Sequence, residues 1–338
     1  MKKNSLRLPA EWEPQSFIQL TFPHKNSDWA DKLEEVTACF HAIAKEIVKH
    51  EHILVVCMDE KLAKASLQDL NQDQITYAAI PSNDTWARDH GGITVLKNGK
   101  PVVLDFTFNG WGLKYSANLD NQITRRLYEN NFFPKNYSYK NRMEFILEGG
   151  SIESNGNGIL LTTARCLLSH NRNPLSKDKI EKKLKNYFGV KEILWLHHGF
   201  LAGDDTDSHI DTLARFCSEK VIAYVKCDDP ADEHYDELKK MEEELLQFKS
   251  FQLVPLPMAD AVFDENNHRL PATYANFLIL NEMIIMPVYG SPKDQIAAQT
   301  LQKIFPNREI VPIDCRILIR QHGSLHCVTM QYPSVKLN

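Results

Sequence analysis

The amino-acid sequence predicts one α/β domain built as a closed ring of repeated units, with sheets around a central axis and helices outside. Two observations carry this. A unit of hairpin, helix and strand returns at roughly 50 to 60 residues, the mark of a closed repeat architecture rather than two unrelated domains. No linker or low-complexity tract interrupts residues 1–338, so they read as a single domain. At 43% hydrophobic and 25% charged, the chain is of ordinary globular composition and long enough to bury a core without disulfide staples.

The elements follow in order. Residues 28–50 place Trp29, Leu33, Val36, Phe40, Ile43 and Ile47 at three- and four-residue steps, an amphipathic helix. A strand at Ile53–Cys57, a short helix around Lys61–Leu70 and a strand at Ile75–Ile80 lead to a loop that carries Trp86-Ala87-Arg88-Asp89. Asn98-Gly99 between apolar runs predicts a tight hairpin. A helix near Leu119–Tyr128 and a strand at Met143–Leu147 then end on Glu148-Gly149-Gly150. The plan returns with the turn Asn155–Gly158, the helix Lys177–Phe188 stopped by Gly189, and the strand Glu192–Leu196. It returns again as a hairpin from His209 to Tyr224, a helix at Asp232–Phe248 and a strand at Gln252–Pro255. A last pass runs through Phe277–Met286, a helix at Gln295–Ile304, and strands at Glu309–Ile313 and Leu325–Met330. In a ring of this kind strand ends converge, bringing residues 89, 148, 209, 211 and 327 to one pocket.

A net charge of −5 with no basic excess argues against nucleic acid or an anionic membrane as partner and leaves a small molecule as the default. The start lacks the apolar core of a secretory signal, and no apolar run is long enough to cross a bilayer. Seven scattered cysteines without a Cys-x-x-Cys pair fit reduced thiols in a cytoplasm. The sequence is compatible with an assembly of identical copies and does not decide it.

Several residues invite chemistry, each with a plainer reading beside it. In Gly203-Asp204-Asp205-Thr206-Asp207-Ser208-His209-Ile210-Asp211 the three acids suggest a cation site. His209 and Asp211, two apart at the head of an expected strand, would share one face. They could equally be hydrogen-bonded core residues, or metal ligands completed by His322, His326 or His197-His198, although no helix-borne His pair supports a metal. Cys327, after a glycine-containing loop and beside His326, is either an exposed nucleophile or a buried core thiol. Asp89 either serves a site or pairs with Arg88. Glu148 before two glycines is placed to orient a base such as His209, or lies in a solvated turn. Trp86 either walls a pocket for a cationic or aliphatic group or fills an apolar gap.

Taken together, Trp86-Ala87-Arg88-Asp89, Glu148-Gly149-Gly150-Ser151-Ile152, Gly203 to Asp211 and His326-Cys327, in this order and near these spacings, resemble the agmatine deiminase and bacterial peptidylarginine deiminase-like family. The likeness extends to Leu8-Pro9-Ala10-Glu11-Trp12-Glu13-Pro14 and Thr162–Leu168. The resemblance implies the pentein fold, a five-bladed α/β propeller of ββαβ repeats around a central pocket. It also implies hydrolysis of a guanidinium on a thiol, with no metal or cofactor, in polyamine biosynthesis. By the same resemblance Cys327 is the expected nucleophile, His209 the general acid and base, Asp89 and Asp211 the guanidinium clamps, and Glu148 the partner of His209. Agmatine is the expected substrate, with Asp205 for its distal amine and Trp86 along its chain. Free or peptidyl arginine, or a non-catalytic pentein that binds a partner, are the alternatives. The chain departs from the family pattern at Gln321-His322-Gly323-Ser324-Leu325, at His90-Gly91-Gly92 and at Gln19 and Phe22, where tryptophans are common; these changes bear on the tail end of the pocket.

Overall fold

A computed structural model describes residues 5–335. Among these, five sheets share one plan: two antiparallel strands, then a third parallel to the second across a helix. The plan is clearest in the sheets Ile152–Ser154, Ile159–Thr163, Glu192–Leu196 and Ala214–Ser218, Val221–Lys226, Gln252–Pro257. It recurs in Leu278–Ile279, Met283–Val288, Glu309–Asp314, and in Ile93–Lys97, Lys100–Thr107, Ser138–Ile146, which gains Leu6–Arg7 at its edge. The fifth sheet takes Gln15–Thr21, His52–Cys57 and Ile75–Ala79 from the start of the chain and Thr329–Pro333 from its end. The last strand therefore joins the first sheet and closes the chain on itself.

Local sequence accounts for these elements. The crossover helix Lys177–Phe188 buries Ile180, Leu184 and Phe188, one apolar stripe at four-residue steps, and stops at Gly189 in the left-handed region (φ 67°). The middle strands are apolar on both faces because both are covered. In His52–Cys57, Ile53, Val55 and Cys57 enter one apolar cluster, while Leu54 and Val56 enter the other.

The structure moves some expected boundaries. The strand expected at Met143 begins at Ser138, where Tyr139, Lys140 and Asn141 pair with Val103, Leu104 and Asp105 without showing an alternating apolar pattern. His209 and Asp211 do not head a strand: Ile210–Thr212 is a single tight turn, and the strand starts at Ala214. Likewise the last strand begins at Thr329, two residues past Cys327. No helix is long and apolar enough to cross a membrane among the described residues.

Candidate active site

Every sheet contributes to one place from the same point in its plan, the turn just ahead of its first strand. Asp89 lies in Ala87–His90 before Ile93–Lys97, and Gly150 in Gly149–Ser151 before Ile152–Ser154, with Glu148 leading in. His209 and Asp211 lie at the turn before Ala214–Ser218. Asn276 and Cys327 each sit two residues ahead of their strands. Backbone that has left the helix or not yet joined a ladder is held across these turns instead: Arg88 N donates to the carbonyl of Cys327 (3.1 Å), and His326 N to that of Asn276 (3.2 Å).

The side chains converge around Gly150. A Cβ there would lie 2.7 Å from His209 Nδ1, 2.8 Å from Asp89 Oδ1 and 3.2 Å from Asp211 Oδ2. The sulfur of Cys327 is 3.8 Å from Asp211 Oδ2 and 3.3 Å from Asn276 Nδ2. Asp89 is fixed twice: Trp111 Nε1 donates to Oδ2 (2.9 Å) and Gly150 N to Oδ1 (3.0 Å). His209 Nδ1 stands 3.5 Å from Asp89 Oδ1. Asp211 takes a hydrogen bond from His326 Nδ1 on Oδ2 (2.7 Å), and its Oδ1 has no hydrogen-bond partner among the described residues. Cys327 is buried at the edge of the apolar core, and its sulfur meets the carboxylate of Asp211 and the amide of Asn276.

The charges oppose and complement one another. Burial, aided by Asp211 and only partly offset by His209, pushes Asp89 up to about 6. Burial also works against the Asp211 anion, but His326, His209 and Arg215 outweigh it and hold Asp211 below the usual carboxylate range. Burial opposes charging of His209, and Asp89, the Cys166 thiol and Glu148 outweigh it, so the imidazole titrates well above its ordinary value. Burial, with Asp211 and Asp89 alongside, drives the Cys327 thiol well above its free value. A cation set between the two carboxylates would reverse that repulsion of the thiolate.

Two expectations about this region are corrected. Both Glu148 oxygens are taken by Arg172 Nε (2.8 and 2.9 Å), so Glu148 meets His209 as a nearby charge, and no hydrogen bond joins them among the described residues. The three acids of the loop do not form a shared cation site. Asp204 accepts from Thr206 and Ser208 N, and Asp207 is paired with Arg172 (2.6 Å) and Lys114 (2.8 Å). Asp205 alone of the three lines the pocket, a narrow space that also meets Trp86, Asp89, Trp111 and Cys327. Glu148, Cys166 and His209 lie close enough to share an ion, but the guanidinium of Arg172 on Glu148 disfavours a second cation there.

This arrangement can bind a flat cation against a sulfur. Residues 7–333 match the Porphyromonas-type peptidyl-arginine deiminases. The chain belongs to that family. A substrate-bound cysteine-to-serine variant of C. jejuni agmatine deiminase superposes with a TM-score of 0.94 at 40% identity, covering 99% of this chain and 98% of the other. A putative arginine deiminase from Porphyromonas gingivalis gives 0.93 at 50% identity over 98% and 100%. The agmatine deiminase of Pseudomonas aeruginosa (strain LESB58) is 32% identical over 98% of this chain and 97% of its own. The five-sheet plan is thus the fold this deiminase family carries.

Sequence reasoning did not single out Trp111, Asn276, Arg172 or Tyr115. Asn276 occupies in its sheet the position that Cys327 occupies in another, so the repeat itself was the signal. Trp111 sits between glycines with its own backbone left-handed (φ 54°), a hint of a constrained turn. Arg172 lies 24 residues from Glu148 with no local pattern to join them. Tyr115 donates to Asp205 (2.8 Å), and His322 Nδ1 donates to the carbonyl of Gly203 (2.7 Å), so the departure at 322 ties the Gly323 loop to the acidic one. Trp86 lies flat enough on Gly323 that a Cβ there would be 2.2 Å from its ring.

Proposed function

We propose that the protein is an agmatine deiminase, a C–N hydrolase that converts agmatine and water to N-carbamoylputrescine and ammonium. The observation that carries this is the convergence of Asp89, Asp211, His209 and the Cys327 sulfur around Gly150 beneath a pocket that ends in Asp205. Two carboxylates accept paired N–H bonds from a planar guanidinium and set its carbon against the sulfur. As the cation settles, the Cys327 thiol gives up its proton to solvent, and the thiolate attacks, forming an S–C bond as the C=N π electrons move onto nitrogen. His209, kept protonated by its acidic neighbours, gives its proton to a terminal nitrogen, and the C–N bond breaks to release ammonia. A cationic thiouronium remains. The now neutral His209 takes a proton from water, the oxygen adds to the carbon, the C–S bond breaks, and the surplus proton leaves on ammonia as ammonium.

The pocket favours a dication over an arginine. Asp28, Asp84 and Asp205 line its outer part with His322, and among the described residues no lysine or arginine lines it that could meet an α-carboxylate. Burial pushes Asp84 up to about 6 and raises Asp205, which is the state of an acidic pocket awaiting a cation. Trp86 and Trp111 suit the aliphatic span between the two charges. A cytoplasmic setting, in polyamine biosynthesis, suits the seven free thiols, all buried.

The test is turnover. Incubation with agmatine should yield ammonia and a ureido product, with arginine and an arginyl peptide at least about a hundredfold poorer in kcat/KM, and chelator should change nothing. Arginine as the better substrate would overturn the assignment to agmatine; no turnover of any of the three would overturn the enzyme reading.

A further inference from the structure

Behind the site lies a second cavity of about 100 Å³, on the other side of a wall one residue thick. At three of the converging turns, consecutive residues face opposite ways. Arg88, Gly149 and His326 line the second cavity, while their successors Asp89, Gly150 and Cys327 belong to the site.

Within that wall His326 is held on every side. Its Nδ1 donates to Asp211 Oδ2 (2.7 Å), its backbone N donates to Asn276 Oδ1 (2.9 Å), and its Nε2 is 3.0 Å from both Glu11 Oε2 and Arg215 Nη2. Arg215, itself fully buried, is gripped by Glu11 (2.5 Å), Glu153 and the carbonyls of Ala275 (3.0 Å) and Phe277 (2.6 Å). Glu11, Glu153 and His326 are close enough to share a metal, but the guanidinium of Arg215 already bonds all three. The cluster is therefore a buttress and not a vacant ion site. Its effect falls on Asp211, whose Oδ2, the oxygen beside the sulfur, is held by His326, while Oδ1 has no hydrogen-bond partner among the described residues.

We infer that His326 is the positioning residue of Asp211: its Nδ1–H fixes Oδ2 beside the Cys327 sulfur and so sets the carboxylate plane, leaving Oδ1 unpartnered to accept from the guanidinium, while His326 itself touches no substrate. This rests on the deiminase reading. Asp89, by contrast, is locked from within the site by Trp111 and Gly150, so each clamp has its own anchor. The charged and titratable groups around Asp211 are His326, His209, Arg215 and Arg88, set against Asp89 and Cys327. Among these His326 makes the only hydrogen bond to a carboxylate oxygen of Asp211 from the described residues, apart from the long contact with the Cys327 thiol.

The test uses two variants of the full chain. In His326→Asn an amide occupies the place of Nδ1, whereas in His326→Gln it lies nearer Nε2 and the bond to Asp211 is lost. Cys327 is alkylated with a cationic haloacetamidine and with a neutral haloacetamide of the same size, alongside steady-state kinetics on agmatine. The wild type should favour the cation. The Gln variant should lose about tenfold or more of that preference, raise KM by a similar factor, and move the acid limb of kcat/KM to higher pH. The Asn variant should recover most of it. Equal behaviour of the two variants, or equal slowing with both reagents, overturns the inference, because a merely structural defect gives no charge selectivity. Cation preference without agmatine turnover would overturn the substrate and spare His326; no cation preference in the wild type would overturn both. The wild type alone supplies a further check by NMR: a bonded His326 Nδ1–H should resonate downfield of the amides and shift when a guanidinium is added, and its absence also overturns the inference.

Discussion

At the level of single residues, Asp89 combines the clamping role proposed for it with a cost to stability. Its carboxyl is pushed up to about 6 in the folded protein, against about 3.9 in an unfolded chain. The folded state therefore binds the proton more tightly, and above about pH 6 it bears the full cost of a buried anion, on the order of 3 kcal/mol. That cost fades as pH falls toward 4. Asp89→Asn should accordingly melt at a higher temperature than the wild type at pH 8, with the gain vanishing by about pH 4. The same variant should lose roughly a hundredfold in kcat/KM on agmatine, because one clamp on the guanidinium has lost its charge. Trp111→Phe keeps the aromatic wall but removes the donor to Asp89 Oδ2; a KM rise of about fivefold to tenfold with little change in melting temperature is expected. Asp89, Glu148, His209, Asp211 and Cys327 were singled out in the sequence because charged, imidazole and thiol side chains within short ordered motifs stand out. Trp111 and Asn276 were not, since a neutral residue acquires a function only from what it faces.

At the level of elements, the turns ahead of the first strands do more for the site than the strands do. Two glycines separate these tasks. At Gly150 a methyl group would enter the space shared by His209, Asp89 and Asp211. Gly150→Ala should therefore abolish turnover by about a thousandfold while circular dichroism and melting change little. Gly189 ends the helix Lys177–Phe188 with a left-handed backbone, and a Cβ there would lie 2.0 Å from the carbonyl oxygen of Leu6. Gly189→Ala should lower the melting temperature by several degrees, about 1 to 3 kcal/mol, and leave kcat and KM near wild type. Helices such as Lys177–Phe188 were fully visible as apolar stripes. The turn Ile210–Thr212 was read as a strand because Ile210, Thr212, Ala214 and Phe216 alternate, a period that a short turn leading into a strand also satisfies.

Across the whole molecule, the nucleophile depends on the chain's two ends meeting. Thr329–Pro333 pairs with Gln15–Thr21, and Tyr332 stacks on Phe17 at 4.6 Å between ring centroids. Truncation after Val328 keeps every proposed catalytic residue yet removes that closure. Such a chain should elute as aggregate or expanded species and show no activity, whereas Tyr332→Ala should fold with a loss of about 3 to 5 kcal/mol in denaturant melts. An active, compact truncated chain would contradict the closed ring. By itself the sequence determined the repeat, its helices and middle strands, and the identity of the charged and sulfur-bearing candidates, since periodicity and residue chemistry are local properties. Only the tertiary structure decided that Glu148 answers to Arg172, that Asp205 alone of its loop meets the pocket, and that His326 braces Asp211 from behind. Those outcomes depend on distances between residues far apart in the chain, and packing fixes such distances where no local pattern records them.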